Sequence, residues 1–194
     1  MKPLAFAILS LLAANLTAVA GGFDYGTPSP STPYERYMNP VRSVLGSLAN
    51  RKPDMERVKD LMKQGRSFRY YMDDPYRPAM PEVTARTQEG DCKDKALWLC
   101  GQLNDSSVRF VIGKTKRSAR MSHAWVMWEN EGRWWILDCT LKNAPVAADA
   151  VPADRYIPLY SYGKSTCFRH SSTQVALASV AAKKNAPVAA RDRR

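Results

Sequence analysis

Two runs of aromatic and β-branched residues constrain this chain more than any other feature. They are Ala124-Trp125-Val126-Met127-Trp128 and Trp134-Trp135-Ile136-Leu137, joined by Glu129-Asn130-Glu131-Gly132-Arg133. Such residues suit a pleated, half-buried surface, and Asn and Gly between them supply a turn, so the stretch predicts an antiparallel hairpin. A hairpin aligns whatever lies at its two open ends. With the turn centred between Asn130 and Glu131, His123 at the start of the first strand faces Asp138 at the end of the second, on one face and about 5 Å apart. The same register pairs Trp125 with Ile136 and Met127 with Trp134, and a slip of one residue would break the His–Asp opposition.

A histidine held by a carboxylate is part of a nucleophilic site, and the missing member lies upstream. Gly90-Asp91-Cys92-Lys93-Asp94-Lys95-Ala96 predicts a helix from Cys92 to about Leu103, with Asp91 as its cap and Asp94 in its first turn. Ala96, Leu99, Cys100 and Leu103 share one face. A cysteine at a helix N-terminus is favoured as thiolate by the unpaired N–H groups and the dipole. Cys92, His123 and Asp138 therefore fit the roles of nucleophile, base and orienting acid. A lone cysteine or histidine is weak evidence, and the joint occurrence is stronger. The chain has only two histidines, and His170 lies too near the C-terminal tail to be preferred as the base. Cys167-Phe168-Arg169-His170 lacks the further ligands a zinc site needs.

Around this centre the pattern is mixed. Asn39-Pro40 opens a helix carrying Val41, Val44, Leu45 and Leu48, and Pro53-Asp54 opens a second with Met55, Val58, Leu61 and Met62 on one face and Gly65 as its stop. Residues 67–72 suit a short strand, and Pro75, Pro78 and Pro81 predict a long irregular approach to Cys92. Residues 107–112 read as a strand, 114–122 as a basic loop, and 156–162 as the last ordered segment. All five tryptophans fall between the cysteine helix and Asp138, which puts the centre of the domain there.

The 194-residue chain has room for one ordinary domain and some flanking sequence. Residues 1–20 read as a signal peptide: Lys2, an apolar run over 4–12, and Ala18-Val19-Ala20 as the cleavage site, which implies a periplasmic or secreted product without stable membrane insertion. Residues 21–38, rich in Pro and Ser, read as a linker or an extended arm on the domain, 39–170 as the domain, and 171–194 as an alanine-rich basic mobile tail. A net charge of +11 favours anionic partners, although no nucleic-acid module signature is present. Cys92 and Cys100 lie about 12 Å apart along one helix, too far to bridge. Cys139 with Cys167 is one candidate disulfide, and burial of Cys100, Cys139 and Cys167 as small hydrophobes is the other reading.

The segments Gly90 to Ala96, Ser122-His123-Ala124-Trp125-Val126 and Trp135-Ile136-Leu137-Asp138 resemble the transglutaminase-like cysteine hydrolase superfamily, of the bacterial transglutaminase-like cysteine proteinase type. The resemblance implies an α+β fold with a papain/transglutaminase-like core, its nucleophile helix packed on an antiparallel β-sheet, and catalysis by Cys92, His123 and Asp138. It implies a cysteine peptidase or amidase acting through a thioester on a protein or peptide substrate, cell-wall peptide included. Acyl transfer to an amine and a catalytically silent wall- or protein-binding domain are the alternatives. In the calcium-dependent members the cysteine lies between an Asp and a Glu that both help bind calcium, whereas here the second position is Lys93. A cation where a ligand should stand argues against that site, so no metal and no other cofactor is expected.

Overall fold

The computed structural model describes residues 24–171. The leader at 1–20 and the tail beyond 171 lie outside the described residues. Four α-helices, α1 (Asn39–Ser47), α2 (Met55–Ser67), α3 (Pro81–Thr87) and α4 (Cys92–Leu103), accompany seven strands: β1 (Thr27–Ser29), β2 (Val108–Lys116), β3 (His123–Asn130), β4 (Arg133–Leu137), β5 (Val146–Ala147), β6 (Arg155–Tyr162) and β7 (Cys167–Arg169). The strands form one antiparallel sheet in the order β1-β7-β6-β2-β3-β4-β5. This is an α+β fold with its cysteine helix laid on the sheet.

Helix α4 is its axis. Asp91 accepts from the backbone of Lys93 and Asp94 while Asp94 accepts from the backbone of Asp91, a capping box that starts the helix at Cys92. The expected single apolar face is too narrow a description. Leu97, Trp98, Leu99 and Cys100 are all buried, because α1, α2 and α3 pack around the helix on the side away from β2 and β3. Even Lys95 is buried, its Nζ donating to the Phe68 carbonyl at 2.6 Å, and burial pulls the pKa of its ammonium down.

The sheet is covered on both faces. Ala124, Val126 and Trp128 of β3 join the main core with α4, while Trp125 and Met127 point to a second cluster with Val111, Ile136, Ala148 and Tyr156. The hairpin forms, but its register differs from the expected one: Met127 pairs with Ile136, Trp128 with Trp135 and Asn130 with Arg133. The turn is the two-residue Glu131-Gly132, both at positive φ, the geometry that lets a tight turn match strand twist. Cross-strand partners therefore move by two residues. That shift preserves the face, so His123 and Asp138 become diagonal rather than directly opposed neighbours, still within reach of each other.

Other expectations are corrected by packing. Gly65 does not stop α2; it lies inside it, where an added Cβ would come within 2.8 Å of the Trp98 ring and 2.9 Å of Cys139 Sγ. The first helix takes Met38 rather than Asn39 as its cap residue. Residues 67–72 make only an isolated bridge, Arg69 with Glu89, and the approach to Cys92 contains α3, which Pro81 opens instead of preventing. Strand β2 runs on through Lys116, shortening the basic loop. Part of the Pro/Ser-rich stretch lies along the sheet as β1. All four cysteines are free: Cys139 follows β4 and Cys167 begins β7, with β3, β2 and β6 between those strands, a separation beyond the reach of a disulfide.

Candidate active site

Cys92 is the first residue of α4 and is partly exposed. It lines a cleft of about 120 Å³ together with His123, Ala124, Tyr70, Tyr76 and Met121. His123 opens β3 and turns Nε2 to Asp138 Oδ2 at 2.9 Å. Its ring also hydrogen-bonds Cys92, so the imidazole links thiol and carboxylate. All three predicted site residues are brought together.

Asp138 is 1% exposed, and both its oxygens are occupied. Oδ1 accepts from the backbone N–H of Thr140 at 3.0 Å and of Leu141 at 3.1 Å, and Oδ2 accepts from the Tyr156 hydroxyl at 2.8 Å as well as from His123. A carboxylate held by that many donors is oriented before any ligand arrives. Tyr156 also packs its ring edge against Trp125 at 5.4 Å, and Trp125 stacks on His123 at 6.2 Å. Tyr156 escaped the sequence reading, since a tyrosine at the head of an aromatic strand carries no mark of its hydroxyl's partner. Burial and the adjacent Asp138 charge push its pKa up, keeping the donor proton on. Burial works against a charge on His123, yet the hydrogen bonds to Asp138 and Cys92 win and raise its pKa to about 9.

The other side of the cleft is made by the segment before α4. Arg69 N–H donates to Gln88 O, Gly90 N–H to Arg69 O and Tyr71 N–H to Gly90 O, which pins Tyr70 beside the helix start. Burial, with the negative charges of Cys92, Asp91 and Asp94, raises the Tyr70 pKa. Lys93 Nζ lies 2.5 Å from Asp91 Oδ2 and 3.8 Å from Asp94 Oδ1. A wider groove of about 460 Å³, lined by Lys116, Lys142, Arg155 and Tyr156, contains none of the three predicted residues. His170 is fully buried, its ring between the Asp24 carbonyl at 2.9 Å and Ser161 Oγ at 3.0 Å. That Ser–His–Asp grouping is closed to substrate and ties two ends of the fold together.

No protein-family model and no curated protein matches the sequence. The solved structures supply the relationship. In fold this chain resembles Legionella pneumophila LapG. The superposition reaches a TM-score of 0.50 at 18% identity, over 77% of this chain and 86% of that one. LapG in its calcium-bound form superposes with the same TM-score at 19% identity, over 70% of this chain and 76% of that one. LapG is a transglutaminase-like cysteine protease, and at this identity the likeness is one of fold. The residues here do not fit the calcium ion named for LapG, because the Lys93 ammonium already lies against Asp91 and Asp94.

Proposed function

We propose that this chain is an exported cysteine peptidase or amidase in which Cys92 is the nucleophile, His123 the acid–base group and Asp138 the residue that orients His123. One observation carries the reading. A partly exposed cysteine at a helix N-terminus shares a cleft with a histidine whose ring is fixed by a fully bonded, buried carboxylate. Export rests on the leader read in residues 1–20.

The chemistry follows from the protonation states. With its pKa at about 9, His123 carries a proton at neutral pH, and its imidazolium is the counter-charge for the Cys92 sulfur as it attacks. Sulfur attacks the amide carbonyl, and the oxyanion is placed to take the Cys92 backbone N–H, whose resting acceptor is the Tyr70 hydroxyl oxygen. Imidazolium gives its proton to the leaving amine as the C–N bond breaks, leaving a thioester. Neutral His123 then takes a proton from water as water attacks, and the C–S bond breaks to release the acid and restore the Cys92 sulfur beside imidazolium. Asp138 keeps Nε2 bound throughout, which leaves the other nitrogen for the reaction.

The test is alkylation of Cys92 by a thiol-reactive probe across pH, in the mature protein and in Cys92→Ala and His123→Ala. Labelling that His123→Ala leaves unchanged, at a rate no faster than an ordinary exposed thiol, would overturn the reading. Cleavage of peptides and wall fragments, with and without added amine, then separates hydrolysis from transfer.

A further inference from the structure

The nucleophile helix begins among buried charges. Asp91, Lys93 and Asp94 are 2%, 8% and 6% exposed, and all lie within two residues of Cys92. The two carboxylates have the wrong sign for their neighbour, since a negative charge close to a thiol opposes its ionisation. Both are nevertheless required by the local fold. Asp91 Oδ1 accepts from the N–H groups of Lys93 at 2.9 Å and Asp94 at 3.4 Å. Asp94 Oδ2 accepts from the Asp91 N–H at 3.0 Å, and its Oδ1 from the Ala79 N–H at 2.8 Å. Without them the helix loses its cap, and the segment carrying Pro75, Tyr76 and Pro78 over the cleft loses an anchor.

Lys93 resolves the conflict without disturbing either role. Its Nζ takes Asp91 Oδ2, the oxygen the cap leaves free, and faces Asp94 Oδ1 from 3.8 Å. The other titratable groups around this cluster are His123 from β3, Tyr70, Asp74 and Tyr76 from the segment before α4, and Tyr34 from the arm before α1. Lys93 is therefore the cation that answers the cap acids, as His123 is the one that answers the thiolate.

We propose that Lys93 is a positioning residue for the nucleophile: its ammonium, bonded to Asp91 and facing Asp94, offsets one of the two carboxylate charges of the helix cap so that Cys92 can ionise while the cap stays intact. This rests on the assignment of Cys92 as nucleophile. It also makes the cap independent of a divalent cation, because the counter-charge is a side chain of the same helix.

Iodoacetamide alkylation of Cys92 in the mature chain, followed by mass spectrometry from pH 5 to pH 10, tests it; Cys100, Cys139 and Cys167 are buried. Lys93→Gln should move the pH–rate profile about one unit towards alkali, so that alkylation at neutral pH slows about tenfold. Lys93→Arg should keep the wild-type profile, and Lys93→Gln/Asp94→Asn should move back towards it. A purely structural lysine would lower the melting temperature without moving the profile. Wild-type rates should be the same with and without a chelator. A folded Lys93→Gln variant with the wild-type profile, or a wild-type rate that collapses in chelator, would overturn the proposal. If Lys93→Gln does not fold, Asp94→Asn alone decides: it should move the profile towards acid, and an unmoved profile rejects the idea. Should wild-type labelling itself prove independent of His123, the catalytic assignment fails; if it depends on His123 and Lys93→Gln matches it, only the role of Lys93 fails.

Discussion

At the scale of single residues, the carboxylate of Asp138 is the most demanding group in the site. Four donors converge on its two oxygens, so Asp138→Asn must turn an NH₂ group towards two of them whichever way the amide points. Turned towards Thr140 and Leu141 it opposes the loop; turned the other way it meets His123 and Tyr156. Asp138→Asn should therefore lower kcat/KM on a cleaved peptide by about 10²–10⁴-fold, and retention within threefold would deny Asp138 its orienting role. His123 makes a second prediction. Its folded pKa of about 9 lies above the ordinary histidine value of 6.5, so the charge on the ring stabilises the fold fully below about pH 6.5 and this contribution is lost as pH rises through 9. The side chain is 13% exposed, and the shift sets an upper bound of about 3 kcal/mol. The unfolding free-energy gap between wild type and His123→Ala should narrow across that interval; a flat gap in denaturant titrations would mean the ring is not charged at neutral pH.

At the scale of elements, what could be read from the sequence was whatever a short pattern encodes locally. Asp91 and Asp94 carry the whole capping box within four positions, so the start of α4 at Cys92 was readable to the residue. The aromatic runs announced β3 and β4, yet the turn residue was misplaced by one: Gly132 belongs at the second central position of a tight hairpin, which Glu131-Gly132 satisfies. Helix α3 was hidden because Pro81 reads equally as a breaker and as a first helical residue. Strands β1, β5 and β7 are two or three residues long and take their form from neighbours, so no periodicity marks them. Gly65 shows the same limit, since its use depends on Trp98 and Cys139, which are remote in sequence. Gly65→Ala should gain intrinsic helix propensity, about 1 kcal/mol, but its Cβ would stand 2.8 Å from Trp98. Overpacking should win by about 1–3 kcal/mol, and a thermal melt equal to or above wild type would show that α2 can withdraw from α4 without cost.

For the whole molecule, the arm before α1 ties the beginning of the described fold to its end. Asp24 does most of this: Oδ1 accepts from the Gly26 N–H, Oδ2 from the backbone and hydroxyl of Ser171, and its carbonyl from His170. His170 passes the link to Ser161 in β6, β1 pairs with β7, and further along the arm Tyr34 lines the cleft. Little of this could be read from a Pro/Ser-rich stretch, because apart from the Gly26 turn its hydrogen-bond and strand partners, His170, Ser171 and β7, lie more than a hundred residues away. Burial opposes a charge on Asp24, but the hydrogen bonds from His170, Ser171 and Gly26 prevail and hold its carboxyl well below the usual carboxylate range. A depressed folded pKa stabilises the fold above the ordinary carboxylate value of about 3.9 and ceases to do so as pH falls below it. Asp24→Ala should therefore lower the melting temperature by about 3–6 °C between pH 5 and pH 8. The deficit should shrink below about pH 4 as wild type loses the same bonds by protonation. Melts of the two proteins from pH 3 to pH 8 decide it: an equal deficit at both ends of the range would mean that packing of the arm, not the Asp24 charge, closes the fold.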